Sequence, residues 1–192
     1  MDNEVSDMVF DLKAGFVPAD YAFSLWDELV RILPWLETLA SAGILPLKGA
    51  ESGGGILLPQ RAKLVLRLPE KSARNALELT GSTLDIGGDL FEVGSGRKKC
   101  LEPYPTLHSK LVASEQDEAG FLIEIAAKLA ELDIPCKWIC GRRQTGRVAG
   151  YSLVIHDLKP AGSIRLQQTG LGDYRRFGCG VFVPHKTISG LD

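Results

Sequence analysis

The chain has 192 residues, 45% of them apolar, and a formal net charge of −2. That is enough apolar material for a substantial core and too little positive charge for a uniformly basic nucleic-acid binder. No apolar run is long enough to cross a bilayer, and the acidic, polar start MDNEVSD does not read as a signal peptide, so a cytoplasmic protein is expected.

Charge is unevenly distributed. Residues 1–50 hold eight acids and three bases, whereas residues 136–192 hold three acids and nine bases, six of them arginines. Arginine is the side chain best matched to phosphate oxygens, so the last third is where a polyanion would bind. Of the four cysteines, Cys136 and Cys140 form a C-x-x-x-C pair without a matching second pair. That spacing is a poor zinc site, and reduced, mostly buried thiols are expected, with no metal and no cofactor.

Val5 to Leu12 alternates apolar and polar residues around MVFDL and predicts a strand. Pro18 and Asp20 open a helix, with Asp20 the expected N-cap, and Phe23, Trp26, Leu29, Val30 and Leu33 give it an apolar face. Pro34 should kink or restart it. ILPLKG and RAKLVLRLP predict two strands joined by a turn at ESGGG; Ser72–Leu79 a short helix; and STLDIGGDLFEVG strand material with a turn at Gly87-Gly88.

The order then repeats. LHSKLVAS predicts a strand, Ser114 with Asp117 a capping box, and the following helix runs to about Leu132. PCKWICGRR and GYSLVIHD predict strands around the basic turn RRQTGR, SIRLQQ a short helix, and CGVFVP the last strand. The reading is therefore α+β: two tandem ferredoxin-like (β-α-β-β-α-β, RRM-like) units, residues 1–103 and 104–192, meeting near the proline-bearing EPYP. A glycine-rich loop, 170–180, lies between the last helix and the last strand.

That loop reads GLGDYRRFGCG. Four glycines in eleven residues weaken local structure unless another backbone, or a phosphate, must come close. Gly170-Leu171-Gly172, five residues, then Gly178-Cys179-Gly180 resembles the glycine-rich signature of the RAMP superfamily of CRISPR-associated proteins. SIRLQQTGLGDYRRFGCGVFVPHK as a whole is similar to the C-terminus of the CRISPR repeat-processing endoribonucleases, the Cas six family, in its short-chain branch. The P-x-D helix start, LPWL and the strand KLVLRLP extend the resemblance over most of the chain.

The resemblance implies a protein that binds the stem-loop of CRISPR repeat RNA and cuts precursor transcripts into guide RNAs without metal, by 2′-hydroxyl attack on the adjacent phosphate. It implies product retention, and other CRISPR effector subunits are candidate partners. Such chemistry needs a base, an acid and a cation. Members of the family carry a histidine near the first helix, but here P-A-D is followed by Tyr21 and no histidine precedes His108. The catalytic candidates are Tyr21, Lys48 and His108. His156 and His185 are expected as surface residues or phosphate contacts. The RNA-binding candidates are Arg142, Arg143 and Arg147 of the hairpin tip, Arg165 and Gln168 of the short helix, Gly170, Gly172, Arg175, Arg176, Gly178 and Gly180 of the loop, and Lys186. The early-histidine gap keeps open an alternative, a non-catalytic RAMP subunit that holds repeat RNA in an effector complex. An unrelated double ferredoxin-like metabolite sensor is a third reading.

Overall fold

A computed structural model describes residues 4–185. The chain divides into two compact units, one running to Cys100 and including Arg176–Gly178, the other formed by Leu101–Arg175 and the segment from Cys179 onward.

The first unit contains β1 (Val5–Leu12), β2 (Gly15–Pro18), α1 (Tyr21–Ile32), β3 (Gly43–Ile44), β4 (Ala50–Ser52), β5 (Gly55–Leu58), β6 (Ala62–Pro69), α2 (Glu70–Ala73), β7 (Thr83–Ile86) and β8 (Asp89–Cys100). Its main sheet has the order β3-β6-β1-β8-β7, with β1 antiparallel to both β6 and β8. Alternation puts Met8, Phe10 and Leu12 of β1 on one face, opposite Leu66, Leu64 and Ala62 of β6. All six are buried, and Leu25, Trp26 and Leu29 of α1 belong to the same core. Each buried side chain of the Leu or Phe class is worth about 1.5–3 kcal/mol, so this face alone explains why the strand and helix form together. Phe177 packs at the edge of this core, its ring 4.5 Å from that of Phe23.

The opposite face of β1 carries Asp7 and Asp11 alternating with Val5 and Val9. Asp7 lies across from Arg67, which donates from Nε to Oδ1 at 2.8 Å and from Nη2 to Oδ2 at 3.0 Å, and Arg67 is 1% exposed.

Three local expectations change. The ESGGG turn does not join the predicted pair of strands. It closes the β4–β5 hairpin at Gly53 and Gly54, both with positive φ, and this hairpin forms a separate sheet, β2-β5-β4. Asp20 occupies the cap position of α1, but its side chain makes no capping bond to the helix. Pro34 does restart the chain, as a 3₁₀ segment, Pro34–Thr38, whereas the short helix after β6 is α-helical only over Glu70–Ala73 and continues as 3₁₀, Arg74–Leu79.

The second unit runs β9 (Leu107–Ala113), α3 (Glu118–Glu131), β10 (Lys137–Gln144), β11 (Gly150–His156), α4 (Pro160–Thr169) and β12 (Val183–Pro184), with sheet order β10-β11-β9-β12. Leu107, Tyr151, Leu153 and Ile155 face a core with Phe121, Ile125 and Leu129 of α3 and Leu166 of α4. Asp117 alone caps α3, its carboxylate accepting the Gly120 N–H at 2.8 Å, while Ser114 Oγ accepts from Gln116 instead of entering a capping box. Both units are ferredoxin-like, the first enlarged by β2, β4 and β5.

Candidate RNA-binding and catalytic site

Within the glycine loop, backbone comes close to backbone. Gly170 ends α4 at φ 64°, Gly180 precedes β12 at φ 63°, and the Leu171 N–H donates to the Gly180 carbonyl at 3.1 Å. The two ends of the loop thus cross in direct contact. A Cβ on Gly180 would run into the Leu171 carbonyl oxygen, and one on Gly170 into that of Gly180. The Gly180 N–H also bonds the Leu111 carbonyl of β9 at 2.7 Å, tying the crossing to the sheet. Gly172 and Gly178 share the left-handed backbone, at φ 71° and 84°.

The two arginines inside the loop separate. Arg175 is buried, with its Nη1 against Gly170, so its guanidinium belongs to the loop interior. Arg176 is exposed and lies over the Phe177 ring at 5.0 Å.

The β10–β11 hairpin separates its arginines too. Arg142, Arg143 and Arg147 are all exposed. Arg143 folds back: its Nη1 donates to the Gln116 carbonyl and, at 3.1 Å, to the Tyr151 hydroxyl, with the guanidinium 5.5 Å from the Tyr151 ring centre. On α4, Arg165 is exposed but donates to the Leu132 carbonyl at 2.5 Å, and Gln168 is half-buried. Lys186 lies outside the described residues.

Tyr21 and Lys48 lie in the first unit. Tyr21 is buried at the start of α1, and its hydroxyl accepts the Leu47 N–H at 2.8 Å. Burial pushes the phenol above its ordinary value and outweighs the lowering effect of that bond. Lys48 is the next residue along and is exposed. His108 sits half-buried in β9 of the second unit, and its ring centre is 5.1 Å from that of His185. This pairing escaped sequence reasoning, because 77 positions separate two residues that only the β9–β12 register joins.

Burial raises the Cys179 thiol to about 11, and desolvation also raises Cys136 and Cys140, which keeps these thiols protonated and unreactive. Among the described residues no cluster of three or more His, Cys, Asp or Glu could hold a metal ion, and no helix is long and apolar enough to cross a membrane.

Two ferredoxin-like units in tandem, the second closed by a crossed twin-glycine loop, define a RAMP-type protein. Residues 6–187 match the family described as Cas6 Crispr. A CRISPR-associated endonuclease Cas6 of Myxococcus xanthus (strain DK1622) is 33% identical over 185 residues, covering 93% of this chain and 80% of that protein. The chain belongs to the Cas6 family. Solved structures share the fold at much lower identity. A CRISPR-associated protein Cas6 superposes with a TM-score of 0.67 at 9% identity, covering 95% of this chain and all of that one. The product of a Cas6-related gene from Pyrococcus furiosus gives 0.66 at 12%, covering 95% and 99%.

Proposed function

We propose that this protein is an endoribonuclease that binds the stem-loop of CRISPR repeat RNA, cuts precursor transcripts beside it without metal, and retains the product. The observation that carries the reading is family membership spanning nearly the whole chain, together with 33% identity to a relative named as an endonuclease. That relative also weighs against a purely RNA-holding subunit.

Stem binding falls to Arg142 and Arg147 of the exposed hairpin, since the Arg143 guanidinium is bound to Gln116 and Tyr151. A-form duplexes are read mainly through phosphates and shape, which exposed guanidinium groups suit. Arg176 adds a further exposed cation at the glycine loop, whereas Arg143, Arg165 and Arg175 hold the scaffold that presents these groups.

Cleavage transfers a proton from the 2′-hydroxyl to a base, forms the 2′-oxygen–phosphorus bond, and breaks the bond to the 5′-oxygen as an acid protonates it. Tyr21 is a poor base here, since burial favours its neutral phenol. Its hydroxyl fixes the Leu47 amide and so orients the segment carrying Lys48. His108 remains the candidate base.

The test is to incubate 5′-labelled repeat RNA with the purified protein in EDTA. Cleavage at one position, leaving a 2′,3′-cyclic phosphate and a 5′-hydroxyl, is expected. RNA left whole at enzyme excess, or cutting that stops when divalent ions are removed, would refute the proposal.

A further inference from the structure

The chain has three histidines, and none lies in the first 107 residues. Two of them meet in the second unit. Val183 of β12 pairs with His108 of β9, and beyond β12 the His185 N–H donates to the Thr106 carbonyl at 3.2 Å. These bonds turn the chain back along the start of β9 and bring the His185 ring to 5.1 Å from His108, tilted by 59°. His185 is exposed and His108 half-buried, so solvent and ligand reach the pair from one side. Lys110, two residues further along β9, is exposed as well. Two imidazoles in ring contact, with an ammonium two residues from one of them, are the groups that metal-free attack by a 2′-hydroxyl requires.

We infer that His108 and His185 are the proton-transferring pair of the cleavage site, with Lys110 facing the phosphorane. The inference rests on the endoribonuclease reading above. One imidazole, neutral, takes the 2′-hydroxyl proton as the oxygen bonds to phosphorus. The other, protonated, gives its proton to the 5′-oxygen as the phosphorus–oxygen bond breaks. One proton has then passed from the second ring to the first through the substrate, and exchange with water resets both. No metal, oxidant or co-reactant enters.

The experiment is single-turnover cleavage of 5′-labelled CRISPR repeat RNA by the parent, H185Q, H108Q and K110Q, with affinity measured in parallel. H185Q and H108Q should each slow cutting about 100-fold or more while repeat RNA binds as before, and K110Q should slow it about 10-fold or more. The parent rate should be bell-shaped in pH, and each histidine variant should lose one limb. His185 is exposed beyond the last strand, so H185Q tests the idea even if H108Q fails to fold. A rate for H185Q within about threefold of the parent, or a fall in rate matched by an equal fall in affinity, overturns the pair. An unchanged bell-shaped profile does the same. A parent that leaves the RNA whole overturns the endoribonuclease reading itself, whereas a parent that cuts beside fully active variants overturns only the pair.

Discussion

The two units share a strand order but spend their polar residues differently. In the first, the face of β1 away from the core carries the Asp7–Arg67 pair, with a side chain 1% exposed, and the unit contains no histidine. In the second, the face of β9 away from the core carries His108 with His185 beside it, and the exposed arginines of the hairpin lie at the other end of the neighbouring strands. A repeated topology therefore fixes where side chains stand, not what they do. One copy uses its polar face for a buried ion pair; the other leaves titratable groups in reach of solvent.

The glycines sharpen the comparison most. Gly180→Val puts a β-branched side chain at φ 63° against a carbonyl that cannot withdraw, because the Leu171–Gly180 hydrogen bond holds the loop crossed. Loss of soluble protein or of all repeat-RNA binding is expected. Gly53→Val, at φ 52° with open space around it, should cost only backbone strain, about 1–2 kcal/mol. Equal unfolding midpoints for the two variants in urea would show that the loop crossing carries no special weight.

Next comes the buried pair. Asp7→Ala leaves the Arg67 guanidinium in the first unit without its bidentate carboxylate, and should destabilise by about 3–5 kcal/mol in chemical denaturation. Replacing both partners with apolar residues, Asp7→Leu with Arg67→Met, should recover most of that. A double variant as unstable as Asp7→Ala would mean that Arg67 has a role beyond satisfying Asp7.

The smallest effect concerns the hairpin of the second unit. Arg142→Ala with Arg147→Ala should weaken repeat-RNA binding and reduce the slope of log affinity against log salt by about 2, close to 0.9 for each phosphate that is no longer neutralised. Arg143→Ala should leave that slope nearly unchanged and instead loosen the hairpin, since its guanidinium is bound to Tyr151 and Gln116. A slope that falls equally for Arg143→Ala would place all three arginines on RNA.

The sequence by itself determined the features that repeat at short range. The alternation in Val5–Leu12 and the apolar face of the first helix were legible because strand and helix periods are local properties, while the twin glycine pairs at 170–180 carried the resemblance to the family. The inserted β2-β5-β4 sheet was not legible: β2 and β5 are each only four residues long, and pairing Phe16 with Leu57 depends on a turn whose partners the pattern leaves open. Nor could composition sort the arginines, since Arg142 and the tethered Arg143 are exposed neighbours of one type. Only the tertiary structure decided those roles, and only it brought His185 to His108. Such pairings depend on strand register, which is set by the whole buried face of the sheet and not by the residues that meet there.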